Sequence, residues 1–120
     1  MAEQSGTSNV NSYAALSATT SLAPHAIRRR KPLADDVVIE ILYCGVCHSD
    51  IHQVRNEWHN SVYPVVPGHE IVGRITEVGG NVRKFKTGDI AAVGCMDDSC
   101  RPCAHCRRGL EQYCERGATL

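Results

Sequence analysis

GHEIVGRITEVGGNV, residues 68–82, is the stretch on which the architecture turns. From Glu70 the apolar positions Ile71, Val72, Ile75 and Val78 run as in a strand up to Gly79, Gly80 and Asn81, a turn signal that favours positive φ. The outer glycines of GHEIVGR resemble those of a phosphate loop, but no Lys-Ser/Thr pair follows, so the segment carries no weight as one. A second turn, KTGD at 86–89, precedes a strand over 90–93. Upstream, DVVIEILY at 36–43 sets Val37, Ile39 and Ile41 on one face and Val38, Glu40 and Leu42 on the other, which predicts a largely buried strand. Weaker strands are read at 12–16 and 26–30, parted by a turn at Pro24 and followed by one at Pro32. A short helix is expected over 49–56, capped by Ser49 or Asp50, with Ile51, Val54 and Arg55 on one side. Residues 1–10 read as a loose, flexible arm. Short strands punctuated by glycine, with little helical periodicity, predict a mainly β domain over residues 11–120, built as a small, partly open β-barrel with short helices.

The chain has 120 residues, enough for one domain that buries about 70% of its extended surface. Thirteen basic side chains balance thirteen acidic ones, so the global charge recommends neither nucleic acid nor an anionic membrane as partner. The single basic block, Arg28 to Lys31, reads as a solvated strand end. The first twenty residues lack a basic start and a continuous apolar run, so no signal peptide or membrane span is read there, and a cytoplasmic protein is expected. Seven cysteines are an odd number in such a setting, which argues against a disulfide framework and for metal.

The cysteines crowd into CRPCAHCRRGLEQYC, where Cys100, Cys103, Cys106 and Cys114 follow a C-x2-C-x2-C-x7-C spacing. Four thiolates at these intervals can wrap one tetrahedral ion, and zinc is the natural choice. A [4Fe-4S] cluster competes, but its usual Cys-Pro ligand does not occur here. The segment 95–114 is too poor in apolar residues to hold itself together otherwise. Arg101, Arg107 and Arg108 either offset the charge of four thiolates or are ordinary solvated arginines. Cys95 lies outside the set and reads as a small buried hydrophobe.

CGVCHSD at 44–50 contains Cys-x-x-Cys-His, the pattern for covalent haem attachment. Haem is disfavoured because Cys44 ends an apolar strand, where a packed side chain is expected. PGHE follows at 67–70, and a cysteine and a histidine at neighbouring strand ends can supply two ligands of an open zinc site. GHEIVGRITEVGGNV resembles the zinc alcohol dehydrogenase signature G-H-E-x2-G-x5-G-x2-V, met by Gly68, His69, Glu70, Gly73, Gly79 and Val82. With GVCHSDIHQ before it and the four-cysteine lobe behind it, the chain resembles the N-terminal part of the medium-chain, zinc-dependent alcohol dehydrogenases, most closely the cinnamyl-alcohol-dehydrogenase-like branch.

That resemblance implies a GroES-like catalytic domain with a structural zinc lobe at 95–114. It implies two Zn²⁺ sites: a catalytic one held by Cys47 and His69, with Glu70 as an alternative ligand, and a structural one held by Cys100, Cys103, Cys106 and Cys114. Asp50 would orient His69, Ser49 would bond the substrate oxygen and His52 would pass its proton towards solvent. His48 and Ser49 would face the cofactor, although His48 also reads as a plain exposed histidine, and Trp58 would line the substrate pocket or lie in the core. The reaction implied is reversible alcohol–aldehyde oxidoreduction by hydride transfer with NAD or NADP, the branch generally preferring NADP, in an enzyme that is a homodimer at full length.

No two glycines are spaced as G-x-G, so the dinucleotide fingerprint is absent and no Rossmann domain is read in the chain. The family's further cysteine ligand also comes from downstream of this segment. The chain is therefore expected to be a truncated catalytic half, inactive alone, prone to association and cut before its cofactor domain. Two other readings are a non-enzymatic, zinc-stabilised β-barrel binding module and a rubredoxin-like iron protein.

Overall fold

The computed structural model describes residues 7–117. In chain order the elements are β1 (Thr7–Ala14), β2 (Ala23–Arg30), β3 (Val37–Gly45), α1 (His48–Val54), β4 (Glu70–Val78) and β5 (Ile90–Val93), followed by two single 3₁₀ turns, Cys106–Arg108 and Glu111–Tyr113. β1 and β2 form an antiparallel hairpin, while β3, β4 and β5 form a separate antiparallel sheet in that order. The barrel is thus open between the two sheets, and every strand pairing between these elements is antiparallel.

The hairpin corrects two expectations. Thr7 to Val10, read as part of a loose arm, pair with Arg30 to Ile27 of β2; residues 1–6 lie outside the described residues. A partner strand overrides the weak strand preference of small polar residues. Pro24 is not a turn but lies within β2 opposite Tyr13, which is tolerable because a two-stranded sheet leaves each strand an unpaired edge for a residue without an N–H. The turn falls earlier, where the Thr20 hydroxyl accepts from the N–H groups of Leu16 and Ser17 at 3.0 Å each and donates to the Ser17 carbonyl.

β3 departs from strict alternation. Its register against β4 shifts between Val38 and Ile39, where the extra residue, Thr76, is in β4, and again between Ile41 and Tyr43, where the extra residue, Leu42, is in β3 and reassigns the faces of the residues beyond it. The strand read as largely buried is open along its second half: Ile41 is 56% and Tyr43 73% exposed. Cys44, expected to be packed, is also exposed, as is Cys95.

β4 carries the core. Ile75 is fully buried, and its N–H and C=O close the sheet onto the 86–89 turn through the Asp89 carbonyl (2.9 Å) and the Gly88 N–H (2.8 Å). Gly88, at φ +95°, supplies the left-handed residue of that turn. At 79–81, by contrast, neither glycine has positive φ. Gly79 is instead required for close approach: a Cβ there would lie 2.3 Å from the Ala34 carbonyl oxygen. The bonds Gly79 N–H to Asp36 O and Asn81 N–H to Ala34 O, both 2.8 Å, hold that contact.

Ala15 pairs with Val65 in an isolated antiparallel bridge, with N–H donated each way at 2.9 and 3.0 Å. This bridge pins the hairpin to the loop that leads into His69. Among the described residues no helix is long and apolar enough to cross a membrane.

Candidate functional site

Cys47 ends the loop after β3 and His69 ends the loop before β4, and β3 pairs with β4 so that Gly45 faces Glu70. The two residues, 22 positions apart in the chain, are therefore brought together. The Sγ of Cys47, a ring nitrogen of His69 and a carboxylate oxygen of Glu70 lie within 4.8 Å of one another. Gly45 makes room for the acid, since a Cβ there would sit 2.3 Å from Glu70 Oε2.

Asp50 organises this point from beneath. Cys47, not Ser49 or Asp50, is the N-cap of α1, and its N–H donates to Asp50 Oδ2 at 2.9 Å. The other oxygen, Oδ1, lies 3.2 Å from His69 Nδ1. Asp50 is only 9% exposed, so one buried carboxylate holds the backbone of Cys47 and the ring of His69 together. With Nδ1 directed at a carboxylate, Nε2 is left as the metal-facing nitrogen. The Ser49 hydroxyl lies 3.5 Å from that Nε2. Hydrogen bonds from the Ser49 hydroxyl and N–H, with a further one from His69, draw the Cys47 thiol towards ionisation. The bond to Cys47 in turn raises the pKa of His69. A thiolate and an imidazole sharing one position suit a divalent ion of borderline softness.

The remaining predicted residues are placed around this pair. His52 sits one turn after Ser49 on α1 and its Nδ1 meets Glu57 Oε2, a partner that sequence spacing did not reveal. Its ring is 5.3 Å from that of His48 and 5.2 Å from that of Trp58. His48 is exposed. Trp58 is 53% exposed, so it is not a core residue. A cleft of about 530 Å³ lies behind α1, between Ile51 and Val54 on one side and Cys44 and Val46 on the other. Trp58 is not among its lining residues.

The four lobe cysteines also meet, with all four Sγ atoms within 4.8 Å of one another and none in a disulfide. Cys100 Sγ and Cys106 Sγ are 4.0 Å apart, too far for a disulfide and close to the ~3.8 Å edge of a tetrahedron with zinc–sulfur bonds of ~2.3 Å. A four-iron cluster would hold its thiolates farther apart than one ion does, so the spacing fits a single ion. Backbone N–H groups aim at the sulfurs, Cys106 N at Cys103 Sγ and Cys100 N at Cys114 Sγ, each 3.4 Å. These bonds favour thiolates: the N–H groups of Cys106 and Glu115 draw Cys103 down to about 6, whereas burial pushes Cys100 up to about 12. Of the lobe arginines, Arg101 pairs with Asp98 at 3.0 Å, and all three are exposed.

An open antiparallel barrel, a Cys47–His69 pair and a four-thiol lobe define the class: the chain belongs to the alcohol dehydrogenase GroES-like domain family, whose profile matches residues 33–120. Among particular relatives, aldehyde reductase YahK of Escherichia coli is 56% identical over 106 residues, 88% of this chain and 30% of that protein. NADP-dependent alcohol dehydrogenase C of Mycobacterium bovis is 55% identical over 113 residues, 94% of this chain and 33% of that one. Among solved structures, the cinnamyl alcohol dehydrogenase SbCAD4 of Sorghum bicolor superposes with a TM-score of 0.86 at 47% identity, covering 90% of this chain and 31% of that one. A Helicobacter pylori enzyme complexed with NADP(H) gives 0.89 at 42% identity, covering 95% and 33%. The chain thus spans about 30% of the length of the curated relatives it matches.

Proposed function

We propose that the chain supplies the zinc-binding catalytic domain of an NADP(H)-dependent alcohol dehydrogenase or aldehyde reductase. The reaction is the reversible interconversion of alcohol and aldehyde by hydride transfer. In this reading the catalytic domain includes the whole of β1, from Thr7 rather than from residue 11, and residues 95–114 are its structural zinc lobe. Nucleotide binding falls to sequence outside the chain, and the full-length polypeptide is a cytoplasmic homodimer.

The single observation that carries the reading is the convergence of Cys47 and His69 on one position, with Glu70 in reach, Asp50 buried behind and Ser49 alongside. A purely structural module has no use for such a pair. A zinc ion held there supplies Lewis acidity, polarising a carbonyl oxygen or acidifying an alcohol. The chain's own residues do the rest. Asp50 keeps His69 in one tautomer. Ser49, on the rim beside His69, hydrogen-bonds the reacting oxygen and carries its proton. His52, at i+3 from Ser49 on α1 and half open to solvent, takes the proton outward, its ring oriented by the contact of Nδ1 with Glu57. Relatives whose names specify NADP and an alcohol or aldehyde support the choice of cofactor and substrate class.

Metal counting tests the reading. The chain refolded in excess Zn²⁺ and freed of loosely held ion by gel filtration should hold two zinc ions, one removed by mild chelation and one retained. His69→Ala should abolish the labile ion alone. In a polypeptide of the relatives' length, Cys47→Ala should abolish NADPH-dependent aldehyde reduction. A single tight zinc that His69→Ala leaves unchanged would overturn the proposal.

A further inference from the structure

The cysteine lobe contains a second set of donors that its C-x2-C spacing does not announce. Cys103 Sγ, a His105 ring nitrogen and a Glu115 carboxylate oxygen all lie within 4.8 Å of one another. His105 precedes Cys106 and Glu115 follows Cys114, so the two residues flank the four-thiol cluster and Cys103 is common to both sets. His105 is the N-cap of the first 3₁₀ turn, and its carbonyl accepts from the N–H groups of Arg108 and Leu110 at 3.0 Å each. Its backbone is therefore fixed where the ring faces Glu115.

The ring nitrogen itself is unusual. His105 Nδ1 is occluded from solvent and makes no hydrogen bond among the described residues, although Glu115 Oε1 is 3.4 Å away. A buried, unsatisfied ring nitrogen costs free energy unless something satisfies it. Two groups at this separation that do not bond each other are spaced like adjacent donors to a common ion, whose tetrahedral edge is ~3.3 Å for zinc–nitrogen and zinc–oxygen bonds of ~2.0 Å. The His105 and Glu115 side chains are 41% and 56% exposed, whereas Cys106, inside the four-thiol cluster, is 8% exposed. The mixed set therefore stands between solvent and the all-sulfur cluster.

We propose that Cys103, His105 and Glu115 form a second metal-accepting position at the mouth of the four-thiol cluster, through which a divalent ion of the zinc type enters and leaves it. The transfer is a ligand exchange with no change in oxidation state. On entry Cys103 keeps its bond while the sulfurs of Cys100, Cys106 and Cys114 replace the His105 nitrogen, the Glu115 oxygen and one bound water, any thiol proton passing to solvent as its sulfur binds, and the reverse occurs on exit. Donors at the rim hold the ion beside the cluster while its sulfurs replace them one at a time, so the ion need not pass through solvent between the two positions. The inference rests on the four-thiol cluster being a zinc site, as argued above.

The test is a rate measurement on the full chain. Zinc transfer from the loaded protein to a chromophoric chelator is followed for the native sequence and for His105→Gln and Glu115→Gln. Each variant should slow transfer about tenfold while the equilibrium zinc affinity of the cluster stays within about threefold, the scale of an exposed ion pair. On the unaltered chain, nitrogen-15 NMR of the imidazoles should show the His105 Nδ1 resonance moving as Zn²⁺ is added beyond the two ions that fill the thiol cluster and the Cys47–His69 position. Unchanged rates with a silent His105 resonance would overturn the proposal. So would a loss of affinity with no slowing of transfer, the signature of a merely structural His105–Glu115 pair. If the cluster takes up no zinc at all, the thiolate-to-cobalt charge-transfer bands of the Co²⁺-treated Cys47→Ala chain will be missing. That result removes the structural zinc reading itself, whereas a filled cluster with a silent His105 removes only this inference.

Discussion

Asp50 joins two requirements in one carboxylate, because the oxygen that caps α1 and the oxygen that faces His69 belong to the same buried group. Asp50→Ala should therefore weaken zinc binding at the Cys47–His69 position by about 10–100-fold and lower fold stability by about 1 kcal/mol, whereas the lobe zinc keeps its affinity. Competition with a chelator and urea melting would read the two effects separately. Asp36 offers a pH test at the same scale. The Arg30 guanidinium bonds its carboxyl, the Leu33 N–H adds a second bond, and together they hold it down at about 2. A folded-state value below the unfolded value of ~3.9 means that this contribution to stability is fully present above about pH 4 and is lost as pH falls through 2. Carboxyl carbon-13 NMR of the native chain should show the Asp36 midpoint near 2, and Arg30→Gln should return it towards the ordinary carboxylate range. The basic block at 28–31 thus includes one residue with a definite partner; its other members bear the solvated character their sequence implies.

At the scale of elements, β3 and β4 are brought together at a glycine. Gly73 is buried in the middle of β4, opposite Ile41, and a Cβ there would lie 2.4 Å from the Glu40 carbonyl oxygen. That atom is backbone in the same sheet and cannot swing away. Gly73→Ala should cost about 1–3 kcal/mol, seen as a lower urea midpoint at unchanged slope. Because the same pairing sets Gly45 opposite Glu70, strain introduced at Gly73 should reach the metal position as well, and the labile zinc should be lost at milder chelation than in the native chain. A drop in stability with labile zinc retained as tightly as before would show that the sheet register and the metal position are independent.

For the whole molecule, the notable quantity is how little is buried. Ile75 is the only large side chain among the described residues that is fully buried, whereas Ile41, Tyr43, Val46 and Val62 are all more than half exposed. The radius of gyration, 16.1 Å, exceeds the ~13–14 Å of a compact domain this size. Such a chain depends on its metal more than a well-packed domain does. Chelation of the lobe zinc should release residues 95–114 into rapid hydrogen exchange while amides of β3, β4 and β5 stay protected, because the ladder bonds of the sheet do not pass through the lobe. Simultaneous loss of protection in the sheet would show that the lobe and the sheet unfold as one unit.

The sequence by itself determined the class of fold and which side chains come together in the four-thiol cluster and in the Cys47–His69 pair. All of these are written in local spacing: period-two strands, a C-x2-C-x2-C run, and two short motifs at the ends of adjacent strands. It also placed β5 at 90–93 and the helix after Cys47 to within a residue or two. Only the tertiary structure decided where alternation fails. The bulges of the β3–β4 pair depend on both strands and leave no mark on either strand's own residues, so the exposure of Ile41, Tyr43 and Cys44 was not legible. Pairing likewise turned the supposed arm and the Pro24 turn into strand. The double role of Asp50, the His52–Glu57 pair and the position of His105 beside Glu115 are matters of side chains meeting across loops. Spacing along the chain does not specify that distance, because the loop conformations that set it are selected by long-range packing.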